Sequence, residues 1–338
     1  MAKPAALLLG KIEFAQEAWD SLSELADLTL ATAQNRTDFI AECKSGRFDT
    51  VKVICDRAPS SLSITGRYDE ELISALPQSV KFICHNGAGY DNIDISACTA
   101  RGILVSHAPK VVDDATADTA IFLILAALRG FNNGIMAIRN GTWLGAVPPP
   151  PLGYNPQGKI LGILGLGGIG KNLKKKAEAF GMKVIYHNRT RLNVGSDEGA
   201  EYVKFDDLLA RSDVLSLNLP LNSKTRNLIS GNEFAKMKRG VVIVNTARGG
   251  VLDEDALVKA IADGKVRSAG LDVYQREPDI HPGLVSNPHV CLLPHMGTST
   301  VETKTDMENL TISNVRQALE QGTLKNVVIE QRELAKGL

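Results

Sequence analysis

The sequence predicts an α/β protein with parallel sheets, organised as two domains. Short β-branched or aliphatic runs alternate with helical patterns along the chain, which is typical of parallel strands joined by helices. Several of these runs are apolar on consecutive residues, as expected for strands that are covered on both faces. The strands fall into two sets, and a length of 338 residues allows each set its own core.

Each set has its own candidate strands, and two long helices complete the pattern. Strands of the first set are predicted at Ala5–Leu9, Val51–Cys55 and Lys81–His85. Those of the second set are predicted at Lys159–Leu164, Lys183–His187, Val214–Asn218, Val241–Asn245 and Val290–Leu293. A helix from about Val112 to Arg129, which Asp113 or Asp114 can cap, lies between the sets, and a last helix runs from roughly Ser299 to Gln321.

Composition and charge exclude several classes of protein. Lys plus Arg and Asp plus Glu both total 38, so no net field attracts nucleic acid or an anionic membrane. The apolar run at Ala5–Leu9 is too short for a signal peptide core, and no apolar stretch has the length of a membrane helix. The cysteines form neither a disulfide framework nor a metal site, and we expect reduced thiols in a cytoplasmic protein: Cys43, Cys55, Cys84, Cys98 and Cys291.

The first strand of the second set leads into a dinucleotide-binding glycine motif. Gly165, Gly167 and Gly170 fit the spacing G-x-G-x-x-G, with Gly168 and Ile169 between them, and a helix follows. The first glycine permits the tight turn, the second lets a pyrophosphate approach, and the third allows close helix–strand packing. Backbone N–H groups and the helix dipole then face the phosphates.

The loop after the next strand indicates NADP(H) as the preferred cofactor, with NAD(H) possible. An NAD site usually places a carboxylate there to bind the ribose 2′-hydroxyl, but none occurs between Lys183 and Gly195. Arg189 can instead pair with a 2′-phosphate, and Asn188 and Thr190 can add neutral donors.

Taken together, the motifs resemble the D-2-hydroxyacid dehydrogenases, particularly their glyoxylate/hydroxypyruvate reductase branch. The resemblance spans nearly the whole chain. In chain order, it rests on Asn86–Asp94 (NGAGYDNID), Ala115–Asp118 (ATAD), the glycine motif, Asn245–Gly249 (NTARG), Gly270–Val273 (GLDV), Glu277-Pro278 and Pro294–Gly297 (PHMG).

The resemblance implies a catalytic trio of Arg248, Glu277 and His295. The chemistry suits these residue types, because hydride transfer to a keto carbon develops negative charge on its oxygen. A protonated His295 can donate to that oxygen, Glu277 can favour the charged imidazole, and Arg248 can grip a carboxylate. The other histidines are interpreted as capping or surface groups: His85, His107, His187, His281 and His289.

Further site residues come from the same resemblance and from the strand ends. The backbone N–H groups of Ala88 and Gly89 are expected either to hold the substrate carboxylate or simply to form a hairpin-like turn. Arg57 either helps to bind that carboxylate or is solvated, and Asp56, Ala58, Asn86 and Trp143 are further pocket candidates. The residues implied on the cofactor side are Thr116, Leu219, Pro220, Thr246, Ala247, Asp272 and Gly297.

The sequence departs from the family pattern in two places. Many members have Arg where this chain has Gly168, so the phosphates depend here on backbone dipoles, with Lys171 nearby. The segment Leu144–Asn155, which includes Pro148–Pro151, belongs in the family to an arm between subunits. Trp143 and Tyr154 then either pack across a homodimer interface formed through the cofactor domain or lie on a simple surface loop.

The resemblance implies two Rossmann-like domains with the active site in the cleft between them. Residues 1–110 and 304–338 would form the substrate domain, and residues 111–303 the dinucleotide-binding domain. The expected activity is NADPH-dependent reduction of a small 2-keto acid to the D-2-hydroxyacid. Two alternatives stay open: a dehydrogenase for aromatic (mandelate- or phenylpyruvate-type) 2-keto acids, and a dinucleotide-sensing, corepressor-like binding protein.

Overall fold

The computed structural model describes residues 3–58, 60–143 and 152–336. The chain divides into two compact units, one formed by Met1–Val112 with Thr300–Leu338 and the other by Asp113–Ser299. The limits expected from sequence, at 110 and 304, lie within a few residues of these. Leu144 and Pro148–Pro151, which the sequence singled out, lie outside the described residues.

The helices and strands alternate as the sequence pattern predicts. Residues up to 112 form β1 (Ala5–Leu9), α1 (Gln16–Asp20), β2 (Asp27–Leu30), α2 (Arg36–Lys44), β3 (Val51–Asp56), α3 (Leu62–Thr65), α4 (Glu70–Ala75), β4 (Phe82–His85), α5 (Ile95–Ala100) and β5 (Leu104–Ser106). The following residues form α6 (Asp113–Arg129), α7 (Phe131–Arg139), β6 (Ile160–Leu164), α8 (Gly168–Ala179), β7 (Lys183–His187), β8 (Glu201–Tyr202), α9 (Phe205–Arg211) and β9 (Val214–Leu217). The rest of the chain forms α10 (Gly231–Lys236), β10 (Val241–Asn245), α11 (Glu254–Ala262), β11 (Val266–Leu271), α12 (Pro282–Val285), β12 (Val290–Leu292), α13 (Val301–Gln321) and α14 (Arg332–Ala335).

The first unit is built on a parallel five-stranded sheet in the order β2-β1-β3-β4-β5. Strands β1, β4 and β5 are buried along their whole length, and β3 along nearly all of it, because apolar clusters cover both faces. Asp56 and His85, the last residues of β3 and β4, lie directly opposite each other in the sheet register.

The second unit is built on a parallel seven-stranded sheet in the order β12-β11-β10-β9-β6-β7-β8. The chain enters this sheet at β6 and later crosses to β9 on the other side of β6. Open α/β sheets bind ligands outside the carboxyl ends of the strands at such a switch point. The prediction of an α/β fold with two parallel sheets is confirmed.

The two long helices occur where the sequence predicts them. Helix α6 runs from Asp113 to Arg129 and buries an apolar face of alanines and leucines. Helix α13 begins after Thr300, whose side chain accepts a hydrogen bond from the Thr303 amide, and ends at Gly322 in the left-handed conformation.

Neither a membrane-spanning helix nor a metal cluster is found in the part of the chain that the structure describes. No single helix there is long and apolar enough to cross a membrane; α6 and α7, bent by 78° at their junction, pass that test as a pair by length and composition only. No group of three or more His, Cys, Asp or Glu residues among the described residues has the arrangement of a metal site.

Candidate active site

The turn between β6 and α8 requires glycine at two of the predicted positions. Gly165 has a φ of +103°, and a Cβ there would lie 2.5 Å from the carbonyl oxygen of Asn218. A Cβ at Gly170 would lie 2.5 Å from the carbonyl oxygen of Gly165, so this glycine lets α8 pack closely on the strand. The turn therefore has the tight backbone path of a dinucleotide-binding loop.

The start of α8 leaves open space at one glycine and none at the next. Gly167 caps the helix, and no atom lies within 4 Å of the place where its Cβ would be. A Cβ at Gly168 would overlap the carboxylate of Asp113, which explains structurally why a larger residue does not fit there. The partly buried Ile169 follows in the first turn of α8. Room for a phosphate therefore lies over Gly167.

The loop after β7 holds the glycine turn and presents two exposed arginines, Arg189 and Arg191. The Asn188 side-chain oxygen accepts a hydrogen bond of 2.7 Å from the Leu166 amide, so Asn188 fixes the turn. Arg189 and Thr190 are exposed. The Arg191 guanidinium lies over the Tyr202 ring, 5.6 Å from its centroid, whereas Arg189 has no ion-pair partner among the described residues.

Two buried polar atoms that follow β9 and β10 lack hydrogen-bond partners within the described residues: Oδ1 of Asn218 and Oγ1 of Thr246. Buried polar atoms are rarely left unpaired, so a bound ligand is the expected partner. Asn218 precedes Leu219, which packs beside Gly165, and the exposed Pro220. Together with the space over Gly167, these atoms fit a bound dinucleotide.

The predicted trio lies on three loops of the second unit. Arg248 follows β10, and the Asn245 side chain shapes its loop by accepting from the Ala247 amide and donating to the Arg248 carbonyl, both at 3.0 Å. Nδ1 of His295 lies 2.7 Å from Oε2 of Glu277, so these two side chains form a direct pair. His295 has a φ of +52°, an uncommon conformation for a residue other than glycine.

The surroundings of Glu277 keep its carboxylate charged. Burial opposes ionisation, but hydrogen bonds from His295 and the Tyr274 amide, with the charges of His295 and Arg248, hold the pKa of Glu277 below its ordinary value. A charged Glu277 pairs with Nδ1 of His295 and fixes the orientation of its ring.

Three predicted cofactor residues meet beside the His295 loop. The buried Asp272 carboxylate accepts hydrogen bonds from the amides of Met296, at 2.7 Å, and Gly297, at 2.8 Å. A Cβ at Gly297 would lie 3.4 Å from the Thr116 side chain, so Thr116 packs on the same loop. Burial raises the pKa of Asp272 against these two hydrogen bonds. Asp272 therefore positions the loop that carries His295.

The glycine loop after β4, formed by residues 87–89 of the first unit, presents two N–H groups without an acceptor in the described structure. The amides of Ala88 and Gly89 donate to no acceptor within the described residues. The carbonyl of Ala88 accepts from His107, 2.8 Å away, and that of Gly89 from His85, 3.1 Å away. Successive free N–H groups of this kind form an anion-binding concavity.

Arg57 is placed differently from the expectation of a substrate or solvated residue. Its side chain is buried, Nε donates 2.8 Å to Oε1 of Glu308, and Nη1 donates to the Ala58 carbonyl. Glu308 also accepts from the amides of Phe14 and Ala15. This network favours a structural role for Arg57, and its binding to substrate stays a prediction.

Two residues at the end of β4 have buried polar side chains, of which the sequence interpretation named Asn86 as a pocket candidate and did not anticipate the burial of His85. His85 is neither capping nor exposed, since it is buried and its Nδ1 lies 2.6 Å from Oδ2 of Asp56. Both polar atoms of the buried Asn86 side chain lack partners within the described residues. The available signal was the presence of polar residues directly after two apolar strands.

The fold and these residues define an NAD(P)-dependent oxidoreductase, and comparison with known proteins places it in a family. A family model described as "D-isomer specific 2-hydroxyacid dehydrogenase, NAD binding domain" matches residues 121–297. The chain belongs to this family.

Two relatives and one solved structure whose names state an activity are similar to the chain over nearly its whole length. The chain is 53% identical to 4-methyl-2-oxopentanoate reductase A of Aspergillus oryzae, covering 98% of this chain and 99% of the relative. It is 46% identical to glyoxylate reductase 1 of Saccharomyces cerevisiae, covering 97% and 95%. A crystal structure of a glyoxylate reductase from Paecilomyes thermophila superposes with a TM-score of 0.95 at 53% identity, covering 98% and 100%.

More distant solved structures differ in substrate. D-mandelate dehydrogenase of Rhodotorula graminis, in its holo form, superposes with a TM-score of 0.91 at 32% identity, covering 97% of this chain and 98% of that one. An NADPH-dependent glyoxylate/hydroxypyruvate reductase of Sinorhizobium meliloti, solved with NADP and malonate, has a TM-score of 0.84 at 30% identity, with the same coverage. The family resemblance, the enzyme class and the use of an NAD(P) cofactor are confirmed.

Proposed function

We propose that the protein reduces a small 2-keto acid of the glyoxylate or hydroxypyruvate type to the D-2-hydroxyacid, with NADPH as the preferred cofactor. The observation that carries this proposal is the pair of His295 and Glu277, whose side chains lie 2.7 Å apart in the unit that matches the NAD binding domain. The positive charge of Arg248 helps to keep the pKa of Glu277 below its ordinary value. An imidazole paired with a carboxylate is suited to donate a proton to a developing alkoxide.

Each residue of the trio has a defined task in this reaction. NADPH, when bound, supplies the hydride. His295 donates the proton to the keto oxygen as general acid, and Glu277 stabilises the charged imidazole before that transfer. Arg248 binds the carboxylate and polarises the adjacent carbonyl, and the N–H groups of Ala88 and Gly89 bind carboxylate oxygens.

The residues assigned to the cofactor surround the glycine turn and the His295 loop. Backbone N–H groups at Gly167–Gly170 would hold the pyrophosphate, and Thr246 and Ala247 would lie at the nicotinamide with Asp272, Thr116 and Gly297. Leu219 and Pro220 would lie at the adenosine. The exposed Arg189 supports NADPH, because a guanidinium pairs with a 2′-phosphate that a carboxylate would repel.

The side-chain amide of Asn86 is an argument for a small polar substrate. Both of its polar atoms are buried without a partner in the described structure, which is costly unless a ligand oxygen or hydroxyl completes them. Hydroxypyruvate carries a hydroxyl beside its keto group that can complete them, and glyoxylate places no apolar carbon there, whereas 4-methyl-2-oxopentanoate and phenylpyruvate place apolar atoms beside the keto group. The mandelate dehydrogenase likeness favours aromatic acids as the second candidate.

Loss of absorbance at 340 nm tests the proposal directly. The purified protein is given NADPH or NADH with glyoxylate, hydroxypyruvate, pyruvate, 4-methyl-2-oxopentanoate, phenylpyruvate and benzoylformate. We expect the highest kcat/KM with NADPH and one of the first two acids. Preference for the aromatic acids would retain the mechanism and change the substrate. Binding of NADPH without turnover of any acid would favour a dinucleotide sensor.

We also infer a homodimer formed through the cofactor unit and a cytoplasmic location. Helix α7 buries none of its side chains, and Phe131, Ile135 and Ile138 are exposed on it. A second copy of the chain would remove this apolar surface from water. All five cysteines are buried free thiols, as is usual in a reducing compartment.

A further inference from the structure

The glycine loop after β4 has all three of its carbonyl groups held by hydrogen bonds. The Gly87 carbonyl accepts from the Ala108 amide at 2.8 Å, the Ala88 carbonyl from Nδ1 of His107, and the Gly89 carbonyl from Nε2 of His85. In a trans peptide unit, the C=O and the following N–H point in opposite directions. Holding the carbonyls of Gly87 and Ala88 therefore turns the N–H groups of Ala88 and Gly89 to the other side.

Of the groups that donate to these carbonyls, His85 is buried and is itself paired with a buried carboxylate. It ends β4 opposite Asp56 at the end of β3, and Nδ1 lies 2.6 Å from the Asp56 carboxylate. The other Asp56 oxygen accepts from the Ser61 hydroxyl at 2.5 Å. A Cβ at Gly87 would lie 2.5 Å from Nε2 of His85, so the loop folds tightly over the imidazole.

The hydrogen bonds define the protons that these rings carry. Nε2 of His85 must bear a proton to donate to the Gly89 carbonyl, and a second proton is shared between Nδ1 and Asp56. Burial lowers the pKa of His107, so this ring is neutral and its proton is on Nδ1, facing the Ala88 carbonyl.

We propose that the Asp56–His85 pair and His107 are positioning residues that aim the N–H groups of Ala88 and Gly89 at the substrate carboxylate. The inference rests on the proposed function, in which this loop binds the carboxylate. In this arrangement the two imidazoles bind the carbonyl side of the loop, and the N–H groups on the opposite side bind the substrate.

The stability of the protein and its affinity for substrate should respond differently to loss of the pair. Replacing a buried ion pair by apolar residues of similar size is often neutral or stabilising. A loop that only supported the fold would therefore lose nothing by the exchange. A loop that is aimed at a ligand loses binding when its N–H groups shift, because displacements of about 1 Å cost large factors in rate.

The double variant Asp56→Leu/His85→Leu removes both partners together, so that no carboxylate is left buried alone. We expect KM for the preferred 2-keto acid and the dissociation constant of oxamate, measured by calorimetry with NADPH present, to rise about tenfold. The KM for NADPH should stay within about twofold, and the melting temperature should fall by no more than a few degrees, the cost of leaving the buried Ser61 hydroxyl and the Gly89 carbonyl without their partners. His85→Gln keeps a donor at the Nε2 position, and its KM should stay within about threefold of wild type.

A control and a second pair of variants keep the test decisive. His281→Asn alters another histidine–carboxylate pair, with Asp255, and should leave both keto acid and oxamate binding unchanged. If the double variant does not fold, His107→Leu against His107→Asn gives the same comparison, because only Asn retains a donor near the Nδ1 position. The leucine variant should weaken oxamate and the asparagine variant should not.

The outcomes separate this inference from the proposed function. Unchanged KM and oxamate binding in the leucine variants would overturn it, as would parallel losses of keto acid binding, NADPH binding and melting temperature. Wild-type protein that turns over no 2-keto acid would refute the proposed function. In that case, weaker oxamate binding in the variants would still support a positioned anion loop, and unchanged binding would overturn both.

Discussion

The Glu277 carboxylate connects the two residues that handle charge in the proposed reaction. It pairs with His295, and the positive charges of His295 and Arg248 contribute to its lowered pKa, against the effect of burial. A carboxyl group whose pKa is lowered on folding contributes stability above its unfolded pKa, and this contribution is lost as the pH falls through the folded value. Glu277 is therefore ionised throughout the neutral range.

Glu277→Gln should lower kcat/KM for keto acid reduction by about tenfold or more, because the protonated imidazole loses its charged partner. The wild-type kcat/KM should fall on the acid side as the pH drops through the lowered pKa of Glu277, and the variant should lack this step. A pH profile of kcat/KM measures the difference. An acid limb that persists in the variant would mean that Glu277 only orients the ring.

The exposed Arg189 should determine the preference between the two cofactors. Arg189→Ala should reduce kcat/KM for NADPH by about tenfold or more and leave that for NADH within about twofold, because only NADPH carries the 2′-phosphate. Arg191→Ala is the matched control, since Arg191 is occupied over the Tyr202 ring and should not alter the ratio. Equal losses with both cofactors in Arg189→Ala would contradict this assignment.

In the turn at the start of α8, one glycine is required for the backbone path and another leaves space for a ligand. Gly165→Ala should lower the free energy of unfolding by about 1 kcal/mol or more, because of its positive φ and the close Asn218 carbonyl. Gly167→Ala has an extended backbone and open space, so its melting temperature should stay the same while NADPH binding weakens. Thermal unfolding and NADPH titration test both variants, and unchanged NADPH binding in Gly167→Ala would move the pyrophosphate elsewhere.

Strands with consecutive apolar residues could be predicted from sequence, and four others could not. β1, β3, β4, β6, β7, β9, β10 and β12 fall within one residue of the predicted runs. β5 and β8 have only three and two residues, too few for a pattern. β2 is only partly buried, and β11 contains Arg267, Ser268 and Gly270, so its pairing depends on its neighbours β10 and β12.

The residues of the candidate site that belong to a sequence motif could be predicted, whereas those brought together by strand register could not. The glycine turn and the loops of Arg248, Glu277 and His295 have local signatures. The pairing of His85 with Asp56 depends on the register between β3 and β4, which a single sequence does not specify. The Arg57–Glu308 pair joins residues 251 positions apart, so Arg57 could not be distinguished from a solvated arginine.

On the scale of the whole molecule, helix α7 is the clearest apolar surface among the described residues. None of its residues is buried, Ile138 is 65% exposed, and Trp143, just beyond the helix, is 70% exposed. The chain has no net charge to keep copies apart, since its 38 basic and 38 acidic residues cancel. Both features favour self-association through this face.

Ile135→Asp/Ile138→Asp should convert a dimer of the wild-type protein to a monomer, because two carboxylates would be buried without partners in the apolar interface. Sedimentation velocity over a range of concentrations measures the change, with Val285→Asp as control. Val285 is also an exposed apolar residue of the second unit, on α12, and its substitution should leave the dimer intact. A wild-type monomer at all concentrations would refute the dimer, and a dimer that persists in the double variant would place the interface on another surface.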